Sequence, residues 1–421
     1  MKRSLINARV IDPTNGRDGQ YDLHLDGGRL IAIGEAPADF SAERRDDLAG
    51  KLVTPAFIDL GAHLRDPGPR YKGSLVSESA AALAGGYATI LPRPDTSPVL
   101  DSASHIRTLL DRARDVAGVR LAPLGALTQG LEGDLLANMA ALKSAGCVAL
   151  TNLRQPIRDL GVLRRCLEYA RTFDITVVFQ AQEAALAGQG CAHEGAIASR
   201  LGLAGIPESA ETVALTQWLL LIEQTGVRAH VSLLSSARAV ELVRDAKARG
   251  LDISADVSMA QLHWTDEQLE GFNANFHLEP PLRSAADRDA LRAGVVDGTI
   301  DAIVSDHLPH EAAAKSAPFA VSEPGMTSLE TMLPLGLALV KAELLSLSRL
   351  IETLTFSARR FGLKGGMLEV GEYCDLAVID MEQEWRVSSE TLVSAGHNTP
   401  LLGMLLNGRV EEVLLGDSCY A

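Results

Sequence analysis

The chain has 421 residues, 47% hydrophobic and 22% charged, which suffices for a sizeable core and reads as an ordinary globular protein of two to three domains at about 150 residues each. Its 39 Lys and Arg against 54 Asp and Glu leave a net charge of −15, and no basic stretch offsets it. Binding to nucleic acid or to an anionic membrane surface is therefore not expected, and 3 Trp, 6 Tyr and 9 Phe leave little for base-stacking platforms.

The five cysteines (147, 166, 191, 374, 419) are widely spaced and form no C-x-x-C pair, so reduced thiols are expected rather than a disulfide or zinc framework. Met1-Lys2-Arg3 opens like a signal peptide, but Asn7, Arg9 and Asp12 interrupt any apolar stretch. The most apolar runs, Trp218 to Ile222 and Met332 to Val340, are far shorter than the ~20 residues of a membrane span. A cytoplasmic location is the expectation.

In chain order, the first fifty residues read as strands and tight turns. Leu23 and Leu25 alternate with polar neighbours, Asp26-Gly27-Gly28 is a turn signal, and Leu30 to Ile33 resumes a strand. The last fifty-five repeat that texture, with a strand over Asp375 to Ile379 and a hairpin expected at Asn407-Gly408. The middle alternates. Strands are expected at 57–60, 87–91, 119–127, 148–150, 175–179, 227–234, 251–257 and 301–304. Between them lie helices, the clearest over 237–249, with Ser235-Ser236 as N-cap and Gly250 as stop; others cover 207–225 and 284–297. Eight strand–helix units predict a (β/α)8 barrel over residues 53–365, with 1–52 and 366–421 joining as one small β-sandwich; a doubly wound open sheet is the runner-up. The Ala-rich stretch from Glu311 to Glu323 is expected as a mobile loop over the barrel mouth.

Functional residues of such a barrel sit at the strand C-termini. Strand 1 ends in Gly61-Ala-His63-Leu-Arg65-Asp66, strand 2 in Arg93-Pro-Asp95-Thr96, and strand 8 in Ser305-Asp306-His307-Leu-Pro-His310. Asp306 with two histidines within four positions could ligate a metal or move protons, and Arg65 could hold a carboxylate bidentately. Against this stand the bland readings: a lone His63 as a hydrogen-bonded structural residue, and Asp306-His307 as a helix cap.

Val53-Thr-Pro-Ala-Phe-Ile-Asp-Leu-Gly-Ala-His-Leu-Arg-Asp-Pro-Gly68 resembles the first-strand signature of dihydroorotases, members of the amidohydrolase superfamily. Gly85 to Thr89, Pro94 to Pro98, Gly205 to Glu211, Pro280 to Arg283, Asp297 to His310, Gly325 to Glu330 and Asn398-Thr-Pro400 extend the resemblance over essentially the whole chain. The resemblance implies a barrel holding one or two zinc ions through a His-x-His on strand 1, a strand-4 carboxylate, histidines on strands 5 and 6, and an Asp on strand 8. Here Gly61, Asn152, Gln180 and Leu233 stand at four of those positions, leaving His63 and Asp306. Three protein ligands are the norm for catalytic zinc. The expectation is therefore no metal, no cofactor and no enzymatic activity, with a hydrogen bond between His63 and Asp306 in the metal's place. Arg65, Asp95 and His310 are the vestige of a substrate pocket, with Asp95, where the family has Asn, expected to repel a carboxylate.

The resemblance further implies a role as the dihydroorotase-like subunit of a bacterial aspartate carbamoyltransferase in pyrimidine biosynthesis. The expected hetero-oligomer has six copies of each chain and homodimer contacts. Two other readings compete. One is an active amidohydrolase, a cyclic amide hydrolase of the dihydroorotase type, with a reduced, atypical metal site built from His63, His230, Asp306, His307 and His310. The other is a small-molecule sensor using the vacated pocket.

Overall fold

The computed structural model describes residues 1–116 and 118–416; Cys419 lies outside them. Eight parallel strand positions follow one another around a barrel: Phe57–Asp59, Tyr87–Ile90, a third divided into Arg120–Leu121 and Leu124–Ala126, then Ala149–Thr151, Thr176–Gln180, Ala229–Ser232, Ile253–Ser258 and Ala302–Val304. The third divides at Pro123, whose missing N–H breaks the ladder. Side chains close the ring: Asp59, at the end of the first strand, accepts from the Ser305 amide (2.8 Å) and hydroxyl (2.7 Å) beyond the eighth. The (β/α)8 expectation holds, and the open sheet is set aside.

Helices follow the apolar spacing closely, at Glu208–Thr225, Ala237–Ala248 and Ala285–Asp297. Of the two candidate caps, Ser236 is the one that accepts from the Ala239 amide. Ser235 instead turns inward, accepting from Arg283 Nε (2.7 Å) and donating to Glu211 (2.9 Å).

Both chain ends enter one mixed seven-stranded sheet, formed by Lys2–Asp12, Arg17–Asp26, Arg29–Ile33, Arg44–Asp47, Leu52–Pro55, Leu376–Arg386 and Leu405–Leu414. Leu5, Val10, Leu23, Leu30, Val53 and Leu376 share its buried core. The Gly27-Gly28 turn stands where expected, but Asn407-Gly408 is not a hairpin. The strand runs straight through it, and its antiparallel partner is Leu376–Arg386. Gly408 is there because its φ is +97° and a Cβ would collide with Leu337, while its carbonyl accepts from the Trp385 indole (3.1 Å).

The segment expected as a mobile loop carries two short 3-10 turns, Ala312–Lys315 and Phe319–Val321. It is anchored: Phe319 is buried against the His277 ring, and Lys315 Nζ donates to the carbonyls of Ala274 and Glu323. Cys147, Cys166, Cys191 and Cys374 are free and buried, with burial pushing the Cys147, Cys166 and Cys374 thiols up to about 12. Among the described residues, no helix is long and apolar enough to cross a membrane.

Candidate active site at the barrel mouth

The ends of strands 1, 2, 4 and 8 bring His63, Arg65, Arg93, Asp95, Arg154, Asp306 and His310 together. Arg65, Arg154 and Asp306 all have left-handed backbone (φ +58°, +63° and +48°), as does Leu233 at the end of strand 6 (φ +59°). Such conformations cost a non-glycine residue free energy and concentrate at sites where side-chain direction matters.

His63 accepts from the Arg65 amide at Nδ1 (3.1 Å), which leaves Nε2 to donate to the Asp95 carbonyl (3.2 Å). It does not bond Asp306. That expectation fails because two guanidiniums reach Asp306 first: Arg93 Nη2 donates to its Oδ1, and Arg154 Nη2 to the same oxygen at 2.9 Å. Burial, reinforced by Arg65 and Arg93 and opposed by Asp95, pushes the His63 imidazole down to about 4, so it is neutral at pH 7. Burial with Arg65 alongside takes His310 down to about 3. Arg65 donates to the Pro309 carbonyl (2.9 Å) and lies 3.1 Å from His310 Nε2; Lys72 pairs with Glu323 (2.5 Å).

Asp95 sits differently from the expectation that it would repel an anion. Burial pushes its carboxyl up, but His63, Arg93 and Arg154 outweigh that and hold it below the usual carboxylate range. Its negative charge is thus offset within the site.

The other sequence-predicted positions do not face this cluster as ligands. Asn152 is engaged with Thr128, accepting from its amide (3.2 Å) and donating to its hydroxyl (2.9 Å). Leu233 is buried in an apolar cluster with Ile58, Leu60 and Val178. Gln180 is half-buried, its Oε1 without a hydrogen-bond partner among the described residues. At Gly61 a Cβ would lie 3.4 Å from Arg93 Nη2, in ordinary contact, so the guanidinium is the nearest neighbour of any side chain placed at 61.

The five-residue metal site of His63, His230, Asp306, His307 and His310 is not assembled. His230 bonds Asp256 (2.8 Å) and Ser254 (2.7 Å) inside the barrel, and His307 bonds Glu78 (2.8 Å) of the helix Leu75–Ala84. No group of three or more His, Cys, Asp or Glu is placed to hold a metal ion among the described residues. The donor set does not fit the zinc arrangement that the resemblance implies. Arg154 lies outside the sequence-predicted set because a cation is no metal ligand; its signal is a charged residue directly after Asn152-Leu153.

A family model described as "Dihydro-orotase-like" matches residues 50–239. A "Dihydroorotase-like protein" of Pseudomonas putida is 49% identical over 422 residues, covering 100% of this chain and 99% of that one. A "Dihydroorotase" of Geobacter sp. (strain M21) is 39% identical, also over 422 residues, covering 100% and 99%. Among solved structures, "L-Hydantoinase (Dihydropyrimidinase) from Arthrobacter aurescens" superposes with a TM-score of 0.88 at 24% identity, covering 98% of this chain and 94% of that one, which shows the fold.

Two expectations drawn from the lost ligands are corrected by these relatives. Full-length relatives at 38% to 40% identity carry the name of an enzyme, dihydroorotase, so loss of the familiar ligands does not make this chain a non-enzyme. The expectation of no cofactor rested on the same step and falls with it, since the family is one whose resemblance implies zinc. The chain belongs to the dihydroorotase-like family of the amidohydrolase superfamily.

Proposed function

We propose that the chain is a dihydroorotase-type amidohydrolase with a reduced, atypical site, acting on a cyclic amide that bears a carboxylate, or on its ring-opened ureido acid. We propose also that it works in complex with the catalytic chain of aspartate carbamoyltransferase, in pyrimidine biosynthesis. The observation that supports the chemistry best is the cluster of three buried guanidiniums, Arg65, Arg93 and Arg154, around the carboxylates of Asp95 and Asp306 and the neutral imidazole of His63.

Each part has a use in opening or closing an amide ring. Guanidiniums in a water-poor site bind a substrate carboxylate and stabilise an oxyanion developing on the ring carbonyl. The carboxylate of Asp306, once a guanidinium releases it, is the group placed to accept a proton, while His63, with both ring nitrogens engaged, holds the Arg65 and Asp95 backbone in place. Zinc, where a family member holds it, supplies an activated water; the donor set here does not fit that arrangement, and no step is assigned to it. The complex is supported by the resemblance alone, which covers the full chain.

The test is co-expression of the full-length chain with the carbamoyltransferase, followed by size-exclusion chromatography and assay of dihydroorotate and carbamoyl aspartate interconversion. Co-elution and turnover above a protein-free blank are expected. Separate elution would refute the complex. Absence of turnover in both the free chain and the complex, with and without added zinc, would refute the chemistry.

A further inference from the structure

Arg93 and Arg154 come from strands 2 and 4, yet their guanidiniums converge on one carboxylate: both reach Oδ1 of Asp306, and Arg154 Nη2 also reaches Oδ2 (3.2 Å). Their side chains are only 1% and 10% exposed. A guanidinium carries five N–H donors, and burying donors without acceptors costs free energy. Here Arg93 Nε and Nη1 and Arg154 Nε are buried with no hydrogen-bond partner among the described residues. Two cations thus share the Asp306 carboxylate, with Glu279 3.6 Å from Arg154 Nη1 as a further anion, and keep donors to spare. A carboxylate offers two oxygens with about four lone-pair sites, the complement of what is left over.

We propose that Arg93 and Arg154 form a carboxylate clamp, distinct from Arg65, in which Asp306 is the resident occupant and the carboxylate of a small organic acid is the exchanging one. The inference rests on the mouth being a site for a carboxylate-bearing amide and names the residues that would hold that carboxylate. On entry of the ligand, Asp306 gives up one or both guanidiniums and is left as an unpaired base beside the bound ring.

Asp306→Asn removes the resident charge and vacates the clamp. In that full-length variant, sodium acetate should raise the thermal midpoint in a saturable way that sodium chloride at equal ionic strength does not, and the wild type, whose Asp306 competes for the clamp, should need about tenfold more acetate for the same shift. Dihydroorotate should bind the variant about tenfold more tightly, the scale of a charge-assisted hydrogen bond. Identical responses of variant and wild type to both salts would overturn the clamp. Arg154→Gln covers the case in which Asp306→Asn does not fold. It should lose about tenfold in affinity for dihydroorotate and nothing for uncharged dihydrouracil; equal losses for the two ligands, or none, would overturn the proposal. Neither arm reads turnover, so a chain that binds without reacting fails the proposed chemistry and still answers for the clamp.

Discussion

Two buried charge clusters meet along the segment Ser305 to His310, one through His307 and one through Asp306, and they differ in how completely they are satisfied. On one side, Glu78 is fully buried and accepts from His307 (2.8 Å), the Ser394 hydroxyl (2.6 Å), the Ala395 amide (3.1 Å) and Ser77 (2.7 Å). Glu330 receives the next two amides, Val393 and Ser394, and Asn398 bonds His310, Thr327, Leu308 and Gly325. These bonds fasten the C-terminal segment to the barrel. On the other side, Arg93 and Arg154 leave buried donors unpaired and three residues hold left-handed backbone. A satisfied buried network is a structural fastening; the spare donors on the other side are those the proposed clamp would use.

The largest effect expected from breaking this contrast is at Glu78. Glu78→Ala strips four donors of their acceptor at once and should cost about 3–5 kcal/mol, read by denaturant unfolding. A loss under about 1 kcal/mol would show that the fastening is not what holds the segment.

Acid should act on the other side. The folded-state pKa of His63 lies near 4, below its ordinary 6.5, so the unfolded chain binds more protons between those values. Its contribution is fully present above pH 6.5 and is lost as pH falls towards 4, at about 1.4 kcal/mol per pH unit and about 3 kcal/mol over the window. His310 acts in the same direction. Unfolding free energies measured from pH 7 to pH 4 should fall accordingly, and His63→Gln should flatten the slope; an unchanged slope would remove His63 from the account.

Gly61→His tests the packing at the mouth. The added side chain meets the Arg93 guanidinium, and overpacking of about 1–3 kcal/mol is expected in thermal unfolding. Arg93→Ala in the same chain should recover part of it, a coupling that independent sites would not show. The smallest effect is a surface control. Arg200 and Glu270 pair with side chains 60% and 56% exposed, so Arg200→Ala should change stability by less than about 0.5 kcal/mol.

Much of the fold was legible because apolar periodicity and capping chemistry are local. The strand at Ile253–Ser258 and the helix from Ala237 to Ala248 follow directly from spacing and from Ser236. Gly408 misled because the same dipeptide serves a tight turn or a strand pressed against Leu337, and only the tertiary packing decides. At the site, His63, Arg65, Asp95, Asp306 and His310 were legible as polar residues at strand ends. The partners were not. That Asp306 takes guanidiniums in preference to His63 depends on where Arg93 and Arg154 reach across the barrel, a distance in space with no trace in sequence separation.

The most direct measurement is the rate of dihydroorotate hydrolysis by the purified full-length chain, beside Asp306→Asn, prepared without chelator. The proposed chemistry predicts turnover above the blank that Asp306→Asn lowers by about a hundredfold or more, the scale of a lost general base. A wild-type rate equal to the blank, or a variant as fast as the wild type, would contradict it.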